Sequence, residues 1–205
     1  MKKILITLGL GVLLFNSFNI KVYAADENEE EIQEFINEIG EDCRQIAQDH
    51  DLYASVMIAQ AIMESDWGTS GLSEDAHNLF GIKGWYNGEC ATYYTLEDDG
   101  TGKKFQIVSN FRKYPNWTES LEDYADLLTE PEQMGDYYWG VHKSNTNSYE
   151  DAADFLQGHY ASDTSYAYGI KYRIDEFDLT YYDMSLEELA EKNKNDMINS
   201  FLNAL

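Results

Sequence analysis

The chain has 205 residues, 14 basic against 38 acidic, and a formal net charge of −24. That length fits one ordinary domain with an appendage, and an acidity of that size repels phosphate backbones and anionic lipid, so nucleic-acid and membrane-surface partners are excluded. His50, His77, His142 and His159 are scattered and no CxxC or HExxH occurs, so no metal or redox cofactor is expected.

Lys2 and Lys3 precede an apolar run from Ile4 to about Ile20, and Val22-Tyr23-Ala24 offers residues a signal peptidase accepts. Residues 1–24 are therefore read as a secretory signal cleaved after Ala24. The mature chain keeps eleven basic residues against 38 acidic ones, about −27, and is expected to be exported, free of the membrane and monomeric. Export places Cys43 and Cys90 where disulfides persist. They either pair or remain two small buried hydrophobes.

From Ile32 the apolar residues Phe35, Ile36, Ile39, Cys43, Ile46 and Ala47 recur at three and four positions. That spacing predicts an amphipathic helix, with a bend at Gly40. Residues 54–65 predict a second helix, apolar nearly all round and so central and buried. Gly68 and Gly71 then open an irregular segment reaching Gly88. Ala91 to Leu96 and Phe105 to Phe111, rich in β-branched and aromatic residues around Asp98-Asp99-Gly100-Thr101-Gly102, predict a small hairpin. Asn116 or Thr118 caps a further helix through Leu128, and Ser148 with Asp151 opens another reaching His159. One more helix is expected near Ala167 to Phe177. Ser185 and Glu188 form a capping box ahead of an amphipathic tail, residues 183–205, whose apolar face either packs on the domain or meets a partner. Residues 25–182 are thus one α+β domain, mainly helical, with a small β-lobe.

Within this plan one carboxylate stands out. Glu64 ends the apolar helix, where burial and the helix C-terminus both disfavour its charged form. A carboxyl kept protonated near neutral pH is what donating a proton to a glycosidic oxygen requires. Trp67 and the tyrosines nearby offer flat faces for sugar rings.

The stretch AQAIMESDWGTSGLSEDAHNLFGIKGWYNG resembles the signature of bacterial peptidoglycan N-acetylglucosaminidases, glycoside hydrolase family 73, the mannosyl-glycoprotein endo-beta-N-acetylglucosaminidase type. TLEDDGTGKKFQIVSNFRKYPNWTESLEDYADLL is similar to that family's hairpin and following helix, and GHYASDTSYAYGI to its Gly-Tyr-Ala-Thr-Asp-Pro-x-Tyr element. Agreement runs from about Glu34 to Phe177.

The resemblance implies a lysozyme-like fold with a substrate groove between helical and β lobes, no cofactor, and peptidoglycan glycan strands as substrate. It implies Glu64 as general acid and Glu97 as the hairpin carboxylate across the groove, with Asp98 and Asp99 as rivals. Tyr160 and Tyr166 match the family's tyrosines, Tyr160 facing the reacting sugar. Asn78, Phe80 and Gly81 match the loop flooring the cleft, and Trp67 a sugar platform. Thr164 departs from the family's proline, and Asp66 replaces a small residue where a second acid would raise the pKa of Glu64 further.

Overall fold

In the computed structural model, residues 28–98 and 104–203 are described. The segment read above as a secretory signal, and Asp99, lie outside them. Among the described residues there are seven helices and one two-stranded antiparallel sheet, a mainly helical α+β, lysozyme-like arrangement.

Helix α1 (Asn28–Asp49) runs unbroken through Gly40. The glycine serves a close approach: a Cβ there would lie 2.3 Å from Cε1 of Tyr182. Helix α2 (Ala54–Ser65) is the hub, with every residue but Glu64 buried. It packs against α1, against α6 (Tyr166–Glu176), and against a 3₁₀ turn at Leu179–Asp183. The core around it joins Phe35, Ile39, Met57, Ile62, Leu121 and Ile170.

Arg44, only 2% exposed, explains how the chain returns over α1. Its guanidinium donates to the carbonyls of Tyr181 and Met184 at 2.8 and 2.5 Å and to the Glu41 carboxylate. The Tyr181 and Tyr182 rings lie against it, 4.9 and 5.2 Å from its centre. A buried cation with all these partners closes the domain and is not an unpaired charge.

The segment expected to be irregular contains a short helix, α3 (Gly71–Ala76), whose N-cap Ser70 hydroxyl accepts from the Ser73 N–H at 3.2 Å. Six residues show too little periodicity to be recognised. Strands β1 (Cys90–Asp98) and β2 (Lys104–Arg112) form the hairpin, with Tyr94 opposite Val108. Phe111, Leu72 and Ala76 make a small second core that seats the hairpin on α3, and the Tyr93 hydroxyl donates to Asp75 at 2.8 Å.

Helix α4 (Trp117–Thr129) is capped by Asn116, whose Oδ1 accepts from the Glu119 N–H at 2.9 Å. Helix α5 (Tyr149–Leu156) stops short of His159. Ser148 makes no capping bond; Asp151 instead accepts from the Asn147 N–H at 2.9 Å, closing the turn outside the helix. Ahead of α7 (Leu186–Asn203) the reciprocal capping box does form, at 2.7 and 3.1 Å. Only Leu189 of α7 is buried, while Leu186, Met197, Ile198, Phe201 and Leu202 are exposed. Among the described residues, no helix is long and apolar enough to cross a membrane.

Candidate active site

The chain leaves α2 through three consecutive left-handed residues, Asp66, Trp67 and Gly68. Ser65 stabilises this exit, its hydroxyl donating to the Ala61 carbonyl at 2.6 Å and accepting from the Gly68 N–H at 2.8 Å. Glycine is required at the third position, because a Cβ would meet Phe35 and Trp117 at 2.8 Å as well as sit at φ +76. Glu64 is held at the rim of the core by this turn, half-buried at the end of an otherwise buried helix.

Burial pushes the Glu64 carboxyl up from its ordinary value of 4.5 to about 7. Two contacts pull the other way, the hydrogen bond from Tyr166 and the charge of Arg173. Asp66 is exposed and is not among the causes of the upward push, so a neighbouring acid at that position does not supply it. At neutral pH the group is divided between acid and carboxylate, the condition of a proton donor that can be recharged.

A buried polar chain stands behind it. Tyr166 Oη donates to Glu64 Oε1 at 2.7 Å and accepts from Gln60 Nε2 at 2.9 Å; Gln60 Oε1 accepts in turn from the Tyr124 hydroxyl. Gln60 sits one helical turn before Glu64 and is wholly buried, so every polar atom in this chain requires its neighbour. Gln60 and Tyr124 are not singled out by sequence reasoning. A glutamine one turn before Glu64, on a helix whose other central residues are apolar, was the available signal.

Tyr160 stacks on Tyr166, centroids 6.0 Å apart and planes 18° from parallel. Its hydroxyl does not point to open space but donates to the Phe80 carbonyl at 3.0 Å. Phe80 is buried and stacked on Tyr124 at 3.9 Å. Asn78, 1% exposed, donates from Nδ2 to the carbonyls of Ile82 and Arg112 at 3.0 and 2.8 Å and accepts from the Ile82 N–H at 3.1 Å. With both ends of its amide engaged, Asn78 shapes the loop instead of offering a sugar contact. Gly81 supplies the positive φ, +65, that this tight loop needs.

The loop in turn holds the hairpin. Arg112 N donates to the Ile82 carbonyl and Gly84 N to that of Asn110, each at 2.9 Å. Arg112 also grips Asp123 of α4 through Nη1, 2.6 and 2.5 Å from its two oxygens, and the Tyr114 hydroxyl donates to the same carboxylate at 2.6 Å. Thus a continuous set of contacts runs from Glu64 through Tyr166 and Tyr160 to the Asn78–Gly84 loop and the base of β2. Glu97 lies on β1 opposite Phe105; its side chain, with that of Asp98, is outside the described residues. Trp67 is half-buried with its ring edge-on to Phe177 at 5.2 Å.

Cys43 and Cys90 are both free thiols. Cys43 is fully buried on α1, where desolvation, with the charge of Asp42 added, pushes its thiol well above the ordinary value. A thiol held in that form is a small hydrophobe and a poor nucleophile.

The chain resembles known proteins over this same region. It is 48% identical over 153 residues to the autolysin of Enterococcus faecalis, an alignment covering 73% of this chain and 21% of that protein. The exo-glucosaminidase LytG of Bacillus subtilis is 36% identical over 169 residues, 80% of this chain and 58% of LytG. The chain therefore spans a fifth to somewhat over half of the length of these relatives. The catalytic domain of the autolysin Auto from Listeria monocytogenes superposes with a TM-score of 0.70 at 41% identity, covering 79% of this chain and 99% of that domain. Residues 40–179 match the glucosaminidase model described as mannosyl-glycoprotein endo-beta-N-acetylglucosaminidase, and the chain belongs to that family.

Proposed function

We propose that the protein is a secreted peptidoglycan hydrolase, an endo-β-N-acetylglucosaminidase cleaving the β-1,4 bond between N-acetylglucosamine and N-acetylmuramic acid. The observation that carries this reading is Glu64: a carboxyl raised to about 7 by burial and oriented by Tyr166, half-buried at the end of an otherwise buried helix. Family membership and the names of the relatives supply the substrate class.

In the proposed reaction, protonated Glu64 transfers its proton to the glycosidic oxygen as the bond to the anomeric carbon breaks, so the departing N-acetylmuramic acid leaves as a neutral alcohol. Burial keeps that proton on Glu64 near neutral pH until the departing oxygen, gaining negative charge, becomes the stronger base. Tyr166 then steadies the carboxylate that remains. Glu97 is proposed as the second carboxylate, taking a proton from the water that attacks the anomeric carbon; substitution by Gln would leave activity intact if the substrate's own acetamido group attacks instead. Tyr160, with its hydroxyl on the Phe80 carbonyl, acts by positioning the loop. Trp67, half-buried, contributes sugar-facing surface, while Tyr166 acts on Glu64 from within the core.

The test is digestion of Gram-positive peptidoglycan by the mature protein, borohydride reduction, and identification of the reduced end by mass spectrometry, with Glu64→Gln alongside. Reduced N-acetylglucosamine from the wild type and none from the variant is expected. Reduced or anhydro muramic acid would move the bond to that of a muramidase or lytic transglycosylase. Glycan binding without turnover by either protein would make the domain a binding module.

A further inference from the structure

Away from Glu64, Glu122 and Asp126 lie four residues apart on one face of α4, and Glu130 follows as the residue that caps its C-terminus. Like charges at that spacing repel. His50, in the turn that follows α1, faces them, with Nε2 3.6 Å from Glu122 Oε2 and 3.9 Å from Asp126 Oδ1. One ligating atom each from His50, Asp126 and Glu130 falls within 4.8 Å of the others.

The orientation of the imidazole is set from its far side. Nδ1 lies 3.0 Å from the Thr129 hydroxyl, and that hydroxyl donates its own proton to the Ala125 carbonyl at 2.9 Å. Thr129 therefore accepts from Nδ1–H, and Nε2 is turned toward the carboxylates. Ionised carboxylates accept only, so the gap between them and Nε2 is closed either by a proton on Nε2 or by a metal ion. A histidine held by a hydrogen bond at one nitrogen while the other faces anionic oxygens is the arrangement in which imidazole binds metal ions.

We propose that His50, Asp126 and Glu130, with Glu122 adjoining, form a site for a divalent ion of the zinc type. Zinc holds imidazole nitrogen and carboxylate oxygen at about 2.0–2.2 Å, which in tetrahedral geometry sets ligand atoms roughly 3.3–3.6 Å apart. The His50–Glu122 separation of 3.6 Å falls at the top of that range, His50–Asp126 at 3.9 Å is a few tenths wider, and the set that includes Glu130 lies within 4.8 Å. Glu122 and Asp126 side chains are 50% and 43% exposed, free enough to close that difference, while His50, at 17%, is fixed. The nitrogen ligand favours zinc over calcium or magnesium, which take oxygen.

The site is structural and not catalytic. His50 precedes α2 and Glu64 lies near its far end, on the order of 15 Å of helix away. An ion there would join the end of α1 to α4, the helix whose Asp123 and Tyr124 hold the hairpin base and Gln60. It would also screen the repulsion along the α4 face.

The experiment is calorimetric titration of chelator-treated protein with zinc chloride, with thermal denaturation measured in parallel. Wild type is expected to bind one zinc and to melt several degrees higher with it. His50→Ala and the isosteric Asp126→Asn, each checked for fold by circular dichroism, should bind at least about tenfold more weakly and lose the rise. Thr129→Val, which removes the partner of Nδ1 together with the bond to the Ala125 carbonyl and leaves every ligand in place, should weaken binding about 10- to 100-fold. His142→Ala removes the other histidine facing an acid, 3.9 Å from Asp51, and should change nothing. No zinc binding, equal binding by wild type and both ligand variants, or equal stabilisation by calcium would overturn the site.

Discussion

Glu64 must weaken the fold if burial is what raises its pKa. An acid whose folded pKa lies above its unfolded value binds more protons in the native state, so stability falls as pH rises through the interval between them. Here that interval runs from 4.5 to about 7. At 1.36 kcal/mol per pH unit, the carboxylate costs the native state about 3 kcal/mol once both states are ionised, and nothing below the unfolded pKa. Glu64→Gln removes the ionisation and keeps an oxygen to accept from Tyr166. The variant should therefore match wild type in stability near pH 4 and exceed it by about 3 kcal/mol at pH 8.5. In a chain of this size that corresponds to a rise of about 6–12 °C in melting temperature. Urea unfolding at both pH values, with equal slopes for the two proteins, measures the difference. A stability difference that does not change with pH would refute the argument, since a group with an unshifted pKa, or one whose charge is fully solvated, contributes no such dependence.

Tyr166→Phe deletes the hydrogen bond that favours the charged carboxyl. The pKa of Glu64 should rise, and the alkaline limb of the pH–activity profile should move above its wild-type position near 7; an unmoved limb would mean that Tyr166 does not govern the proton. Asp123→Asn removes the charge that Arg112 and Tyr114 share at the base of the hairpin. A buried ion pair broken from one side should cost about 3 kcal/mol, with faster hydrogen exchange at the Arg112 and Gly84 amides. Unchanged exchange there would show that α4 does not hold the hairpin in place.

Much of this architecture is legible in the chain because its signals are local. The apolar circumference of residues 54–65, broken only by Gln60 and Glu64 among its larger polar groups, predicts a buried helix with an acid at its end, and that is where α2 and Glu64 stand. The Ser185–Glu188 capping box forms because both of its bonds lie within four residues. The failed prediction at Ser148 shows the limit of the same logic: the pattern was present, but Asp151 found a nearer partner outside the helix in Asn147.

What the sequence by itself determines is which residues of the longer helices face the core and about where those helices start, because hydrophobic period and capping depend on neighbours three or four positions away. Which buried groups meet is decided only when distant segments pack. Tyr166 reaches Glu64 from 102 residues along the chain, Tyr124 reaches Gln60 from 64, and His50 meets Thr129 from 79. Gly40 is needed by Tyr182, not by its own helix. Asn78, matched to the floor of a cleft, has its amide fully occupied by backbone partners that include Arg112. A buried polar atom must find a partner wherever the fold supplies one, and that choice belongs to the tertiary structure.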